Sequence, residues 1–165
     1  RRDAGRARKP DLDEMGPGTT FHRLLWDDAQ LLPGEKIKLV PDDKIRRVIM
    51  CSGKVYYDLY EERKKRGIDD IYILRLEQLY PFPTKALVAE LPRFRQAEMV
   101  WCQEEPRNMG AWFFVEPFLR WVLAQIKADH QRPRYAGRPA SAATATGLMS
   151  KHLAQLQALL EEALG

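Results

Sequence analysis

The sequence predicts an α/β sandwich built around a mostly parallel β-sheet. Three short apolar runs, at residues 48–51, 71–76 and 97–102, lack the alternation of polar and apolar residues and are therefore typical of strands covered on both faces. Each run is followed by a turn and then by a segment with apolar residues at helical spacing. This repeated alternation of strand and helix indicates parallel strands with helices packed on the sheet.

Two segments before the regular part carry other signals. Residues 1–18 are charged and contain several Pro and Gly residues, so a disordered arm or linker is expected there. Residues 19–44 are predicted to be a connecting segment, in which residues 19–28 are compatible with an edge strand. The folded domain itself is predicted to span residues 45–165. Because the first residue is Arg rather than Met, we expect a fragment or a processed product.

The later elements follow from periodicity and from residues that begin or end helices. Gly67 ends the helix that begins near Lys54, and Thr84 is suited to cap the next helix. Pro117 must either kink the following aromatic helix or mark the point at which that helix begins. The predicted elements are helices at 54–67, 84–91, 110–127 and 150–164, a fourth strand at 134–136 and a loop of small residues at 137–147.

Composition and charge argue against several classes of protein. The chain has 165 residues and a net charge of +4, all of which is accounted for by residues 1–10. A nucleic-acid groove would place its positive charge across the fold instead. No apolar run approaches the ~20 residues of a membrane span, and no Cys and His spacing is typical of a zinc site. Cys51 and Cys102 lie within apolar strands, so buried free thiols are predicted.

Polar side chains gather at the ends of three predicted strands. In chain order they are Lys54, then Arg75, Glu77 and Gln78, and then Gln103, Glu104 and Glu105. Ligands and partners of open α/β sheets meet the fold at the carboxyl ends of the strands, so this edge is the predicted functional surface. A buried Arg75 needs a partner, and we expect Glu104 or Glu105 on a neighbouring strand end. The pair would be structural, or it would serve a ligand or domain contact.

Other motifs allow both a structural and a functional interpretation. The turn at residues 51–54 resembles an anion-binding strand–turn–helix, but it lacks the phosphate-loop spacings, and a tight turn that needs Gly is preferred. The Glu104–Glu105 pair has no nucleophile or metal ligand nearby in sequence, which disfavours a catalytic role. The aromatic residues of 112–121 indicate a core, or a core together with an interface. Arg138 is suited to bind a carboxylate or phosphate, or to contact a neighbouring domain.

Four segments together resemble one family. CSGKVYYDL (51–59), RLEQLYPFP (75–83), WCQEEPRNMGAW (101–112) and YAGRPASAATATG (135–147) are similar, in this order, to the carboxyl-terminal domain of the thiamine diphosphate-dependent decarboxylating component of the 2-oxoglutarate dehydrogenase complex. The resemblance runs from about residue 19 to residue 165, whereas residues 1–10 depart from it. It implies a transketolase-like, three-layer αβα domain with a mixed five-stranded sheet, at the end of a longer chain.

The resemblance also implies a supporting role. In that family, thiamine diphosphate and Mg²⁺ bind between the preceding domains of a homodimer. The enzyme, an oxidoreductase of the tricarboxylic acid cycle, decarboxylates 2-oxoglutarate and passes the succinyl group to the succinyltransferase component. No catalytic, cofactor or metal residue is therefore expected here, and this piece is expected to be inactive alone. The residues expected to contact the preceding domains or the second subunit are Arg75, Glu77, Gln78, Gln103, Glu104, Glu105, Asn108, Gly110, Arg138 and Ser141.

Two other functions stay open at this point. A regulatory site for a nucleotide or acyl-coenzyme A at the same edge would use Lys54, Arg75 and Arg138 as its basic contacts. An autonomous hydrolase using Cys51 would need a histidine within reach, which the sequence does not place. The family occurs in bacteria and in mitochondria. The expected location is the bacterial cytoplasm, or the mitochondrial matrix for a eukaryotic chain.

Overall fold

The computed structural model describes residues 21–31 and 37–165, which form a five-stranded sheet with helices on both faces. The predicted arm at residues 1–18 lies outside the described residues, and the predicted domain boundaries stay predictions. The strands are β1 (Leu24–Leu25), β2 (Arg47–Cys51), β3 (Ile71–Leu76), β4 (Glu98–Pro106) and β5 (Arg134–Arg138). The helices are α1 (Asp28–Leu31), α2 (Val55–Arg66), α3 (Thr84–Glu90), α4 (Trp112–Gln125) and α5 (Met149–Leu164), with short 3-10 turns at Asp42–Lys44 and Leu91–Phe94.

The sheet has the strand order β1-β3-β2-β4-β5. The short edge strand β1 pairs antiparallel with β3, and the other neighbouring pairs are parallel. This confirms the predicted mixed, mostly parallel sheet. Cys51 at the end of β2 is in register with Arg75 on one side and with Cys102 on the other. The carboxyl ends of the central strands therefore lie at one edge of the sheet.

Two apolar clusters cover the two faces of the sheet, which confirms the predicted three-layer sandwich. Successive strand residues point to opposite faces, so Val48 and Met50 lie in one cluster and Ile49 and Cys51 in the other. Helices α3 and α4 pack on the first face, and α2 and α5 pack on the second. Because both faces are covered, the central strands are continuously apolar.

Three elements differ in extent from the sequence prediction. β4 continues beyond the apolar run to Pro106, because its polar end still pairs with β5 across an irregular register between Gln103 and Pro106. β5 likewise extends to Arg138. Helix α4 neither begins at Pro117 nor is interrupted there, since the helix runs on through it. Pro117 is exposed, so its ring meets little of the core.

A buried ion pair fixes the segment that leads into the sheet. Both carboxylate oxygens of Asp27 accept hydrogen bonds from the guanidinium of Arg63 in α2, and both side chains are fully buried. The same carboxylate accepts the backbone N–H of Ile73 at 2.7 Å and that of Ala29 at 2.9 Å. A buried charge of this kind is tolerated only when it is paired and hydrogen-bonded. The contact joins the connecting segment, α2 and β3.

The end of α5 is held at the opposite edge of the sheet. Its last carbonyls, at residues 162–164, accept hydrogen bonds from Arg134, Arg47 and Arg46 at 3.0, 2.7 and 3.0 Å. Glu98 aligns two of these arginines, since its carboxylate accepts from Arg47 Nε at 2.6 Å and from Arg134 Nε at 2.8 Å. Positive charge at the carboxyl end of a helix also complements the helix dipole. Within the described ranges, no helix has the length and apolar character needed to cross a membrane.

Candidate functional site at the carboxyl edge of the sheet

The predicted site residues all belong to the described part of the chain and follow or end the strands β2 to β5. We call this set the carboxyl rim: Lys54, Arg75, Glu77, Gln78, Gln103, Glu104, Glu105, Asn108, Gly110, Arg138 and Ser141. Their contacts decide what the rim can do. The strands that carry them are held by the parallel pairing described above, so the rim has a rigid base.

Arg75 does not pair with Glu104 or Glu105, so that expectation was wrong. The strand order places β2 between β3 and β4, and the carboxylates of β4 are therefore one strand too far away. Arg75 Nε instead lies 2.6 Å from Glu77 Oε1 just after its own strand. Its guanidinium also donates to Tyr57 Oη at 2.8 Å and lies over the ring of Tyr56, 4.7 Å from the centroid. Both tyrosines begin α2 and were missed as rim residues, although their position just after the turn was a usable signal.

Lys54 is the residue that meets the predicted carboxylates. Its Nζ lies 2.5 Å from Asp58 Oδ2 and 3.5 Å from Glu104 Oε1. Partial burial lowers the pKa of this amine, but the two carboxylates outweigh that effect and leave the pKa raised. Gly53 before it has φ of +72°, as the predicted tight turn requires. The turn thus joins the end of β2 to the end of β4.

Gln103 is buried and organises the loop between β4 and α4. Its Oε1 accepts from the indole N–H of Trp101 and from the backbone N–H of Trp112, both at 2.9 Å. Its Nε2 donates to the carbonyl of Met109 at 2.7 Å and lies 3.2 Å from the carbonyl of Pro106. This one amide therefore fixes the path of the loop and the start of α4.

Gly110 packs directly against this amide. It has φ of +65°, and a Cβ added there would lie 2.9 Å from Gln103 Nε2 and 3.0 Å from Glu105 Cβ. Both the left-handed backbone and the close approach require glycine. The predicted rim residues Gln103 and Gly110 therefore act as a pair that shapes the loop.

Further hydrogen bonds hold the rim loops in place. Asn108 Nδ2 donates to the carbonyl of Ser141 and Asn108 Oδ1 accepts the backbone N–H of Ser141, each at 2.9 Å. Arg138 Nη1 donates to the carbonyl of Thr144 at 2.9 Å. The loop after β4 and the small-residue loop after β5 are consequently held as one unit. Gln78 is used more locally, since its Nε2 donates to the carbonyl of Pro81 at 2.8 Å.

Two cavities lie on either side of the Glu104–Glu105 pair. The first, of about 470 Å³, is lined by both carboxylates, Arg138, the loop at residues 144–148 and the first half of α5. The second, of about 500 Å³, is lined by the same carboxylates with Lys54, Gln103 and Gly110. The rim therefore brings most of the predicted residues together. Neither cavity has Arg75, Glu77, Gln78, Asn108 or Ser141 in its lining.

The two cysteines are free and buried, as predicted. They lie side by side on β2 and β4. Burial is the main cause that raises the pKa of Cys51 well above its usual value, and the neighbouring Cys102 adds to it. A thiol is an effective nucleophile only as the thiolate, so this environment opposes a hydrolase that uses Cys51.

The donor set of the rim does not fit a magnesium diphosphate. Mg²⁺ is usually held by carboxylates together with phosphate oxygens. Over residues 21–31 and 37–165, no group of three or more His, Cys, Asp or Glu side chains is arranged to hold a metal ion. Glu104, one of the two adjacent rim carboxylates, is already engaged by Lys54.

The fold and the rim together define a three-layer α/β domain whose edge residues mainly hold loops to one another. A sequence model of the family described as "2-oxoglutarate dehydrogenase C-terminal" matches residues 9–164. The chain belongs to this family, which confirms the resemblance seen in its motifs.

Several curated relatives with high identity to the chain come from bacteria. The chain is 73% identical to a protein of Brucella anthropi over 154 residues, which are 93% of this chain and 15% of that protein. A Brucella ovis protein shares the same identity and coverage, and a Brucella abortus protein is 71% identical. Each of these proteins is named 2-oxoglutarate dehydrogenase E1 component. The chain thus spans about 15% of the length of these relatives.

Proposed function

We propose that this chain is the carboxyl-terminal domain of a 2-oxoglutarate dehydrogenase E1 subunit and that it supports dimer and inter-domain assembly. The observation that carries the proposal is the Gln103 network, in which a buried amide is used entirely to shape a surface loop. A loop held this firmly, beside two cavities, is suited to receive another protein surface. The family match and the relatives named E1 component support the same assignment.

The chemistry of the whole enzyme would reside elsewhere in the subunit. In the proposal, thiamine diphosphate supplies the carbanion chemistry of decarboxylation when it is bound, with Mg²⁺, by the preceding domains. This domain holds those domains in register, and the dihydrolipoyl succinyltransferase component receives the succinyl group. The bacterial relatives favour the bacterial cytoplasm over the mitochondrial matrix as the location.

The alternative is a regulatory site for a nucleotide or acyl-coenzyme A at the cavity beside Arg138. Arg138 is already bonded to the carbonyl of Thr144 at 2.9 Å, and Lys54 is engaged by Asp58 and Glu104. Arg75 likewise lies 2.6 Å from Glu77, so all three basic groups proposed for such a site have partners within the domain. The assembly role is accordingly preferred.

A turnover assay tests the first part of the proposal. We expect this 165-residue chain, supplied with 2-oxoglutarate, thiamine diphosphate and Mg²⁺, to give no decarboxylation above background, while a full-length E1 subunit assayed in parallel is active. Substrate-dependent turnover by the chain alone would contradict the supporting role.

The assembly role is tested in the full-length subunit with Gln103→Ala. Removing the amide leaves the loop carbonyls and the indole N–H of Trp101 unsatisfied, so we expect weaker dimers in sedimentation experiments and a proportional loss of activity. The exposed Gln157→Ala on α5 is the matched control and is expected to behave as wild type. Equal dimer stability for both variants would argue against a role of the rim in assembly.

A further inference from the structure

We infer that the outer face of α4 is covered by the part of the same E1 polypeptide that precedes this domain. This aromatic face consists of Phe113, Phe114, Phe118 and Trp121. The inference rests on the proposed function. It adds a second contact surface, which adjoins the carboxyl rim, and it names the partner of that surface.

The aromatic face is unusually apolar for a surface. Phe113 is 66% exposed and Trp121 is 52% exposed, whereas Phe114 and Phe118 are 40% and 38% exposed. The opposite side of the same helix, with Trp112, Val115, Leu119 and Val122, is buried against the sheet. A helix that is apolar over most of its circumference, as α4 is apart from the charged residues Glu116 and Arg120, is normally buried on most sides. Aromatic residues of this kind are typical of the centres of protein interfaces.

The aromatic face is continuous with the loop that follows β3. The rings of Phe114 and Phe118 have centroids 5.2 Å apart, and Phe118 stacks on Phe82 at 4.9 Å. Tyr80, two residues before Phe82, is 83% exposed. The apolar surface therefore extends from α4 to the carboxyl rim at the end of β3.

The polypeptide enters the domain next to this surface. The carbonyl of Arg23 accepts the backbone N–H of Glu77 at 2.9 Å, so the incoming chain runs antiparallel along the end of β3. Phe21 in this incoming stretch is 67% exposed. Glu77 is only three residues before Tyr80 in sequence. The described chain thus begins, at residues 21–23, along the end of β3 from which the loop to Tyr80 and Phe82 leaves.

The lengths of the relatives indicate how much polypeptide is available to cover the aromatic face. The family is a carboxyl-terminal one, and the chain spans about 15% of the relatives' length, so most of such a subunit precedes this domain. A tethered surface is present at high effective concentration, which favours it over a free partner. The charges beside the face, Glu116 and Arg120, lie 3.9 Å apart and balance each other. A neutral aromatic face suits an apolar protein surface better than a charged ligand.

Site-specific photo-crosslinking in the full-length E1 subunit tests this inference. The photoreactive residue p-benzoylphenylalanine replaces Trp121. Subunits labelled with light or heavy isotopes are then mixed, and native mass spectrometry verifies that subunits exchange between dimers before irradiation. We expect crosslinks from position 121 to peptides that precede this domain, in products that are entirely light or entirely heavy. The control carries the same probe at position 65 on α2, in the opposite layer, where the Lys65 side chain is 77% exposed.

Three results would overturn the inference. Mixed light–heavy products would assign the aromatic face to the second subunit. Crosslinks only to the succinyltransferase component, tested by adding it, would assign the face to that partner. Equal crosslinking from positions 121 and 65 would mean that no part of the protein covers the aromatic face. None of these results depends on whether the isolated chain turns over 2-oxoglutarate, so a failure here is distinct from a failure of the proposed function.

Discussion

At the scale of single residues, the ion pair between Asp27 and Arg63 joins the connecting segment, α2 and β3. Both side chains are fully buried, and the carboxylate also holds the backbone N–H of Ile73. Removing one partner of a buried ion pair leaves an uncompensated charge in the core, which strongly destabilises the folded state. Replacing the whole pair by apolar residues of similar volume changes the stability much less. Sequence reasoning passed over Asp27, because a carboxylate after the apolar run at residues 24–26 suggests the end of a strand rather than a buried position.

We predict that Asp27→Asn destabilises the chain by about 3–5 kcal/mol. The substitution keeps the shape but removes the charge opposite Arg63. Urea unfolding followed by circular dichroism gives the free energy of unfolding. The control is Asp43→Asn, since the Asp43 side chain is 73% exposed and lies 3.8 Å from Lys44, and a change below about 0.5 kcal/mol is expected there. Similar losses for both variants would contradict the importance of the buried pair.

A second residue-scale prediction concerns the close approach at Gly110. Gly110→Ala requires an unfavourable left-handed backbone and pushes a methyl group against Gln103 and Glu105, so a loss of about 2–4 kcal/mol is expected from strain and overpacking together. Gly53→Ala has the same sign of φ, but its added Cβ meets nothing within 4 Å. It is expected to cost only about 1–2 kcal/mol. The difference in unfolding free energy between the two variants isolates the contribution of the close packing at Gly110. Equal losses would mean that the loop moves to accommodate the added methyl group.

At the scale of elements, the apolar runs predicted the central strands well, and the run at residues 71–76 coincides with β3. The polar end of β4 was not predictable in the same way, because its pairing with β5 depends on the sheet and not on local composition. The strand order was equally hidden, and for this reason Arg75 received the wrong partner. Location at a common edge follows from parallel strands, whereas contacts along that edge depend on which strands are neighbours.

The arginine cluster that holds the end of α5 is expected to depend on pH. Burial raises the pKa of Glu98, but Arg47 and Arg134 outweigh it and hold the pKa below its usual value. A carboxylate with a lowered pKa stabilises the folded state above its unfolded pKa of about 4.3, and this stabilisation is lost as the pH falls through the lower folded value.

Glu98→Gln should therefore lower stability at neutral pH, and its difference from the wild type should shrink as the pH falls below about 4. Thermal unfolding from pH 7 to pH 3 measures this difference. Glu61→Gln, at an exposed position on α2, is the control for loss of a carboxylate in general. A difference for Glu98→Gln that stays constant over this range would exclude the proposed charge contribution.

At the scale of the whole molecule, the aromatic face of α4 is expected to make the isolated chain self-associate. Large contiguous apolar patches are rare on monomeric proteins, and this one includes Phe113 and Trp121. The double variant Phe113→Gln/Trp121→Gln should shift sedimentation toward the monomer. Met149→Gln/Leu153→Gln is the matched control, since these exposed apolar residues lie on α5. Equal shifts for both double variants would show that association is not specific to α4.

The position of the candidate residues at one edge of the sheet could be predicted from the sequence, but the contacts that these residues make could not. Residues such as Glu104 and Arg138 follow strand ends, and the common edge follows from the α/β pattern itself. The role of Gln103 depends on five groups that are brought together only by the folded loop. No periodicity in the sequence encodes that arrangement. The aromatic segment, in contrast, indicated a core, or a core together with an interface, because more of it is apolar than a single face can bury.

The carboxylate of Asp27 also limits how the domain can be shortened. A version trimmed to begin at residue 45 would retain α2 and the four parallel strands, yet its innermost guanidinium would have lost its counter-ion. Water could reach that cation only if the layer between α2 and β3 opened. Anyone who wishes to study this domain separately from its subunit should therefore cut well ahead of the first short strand.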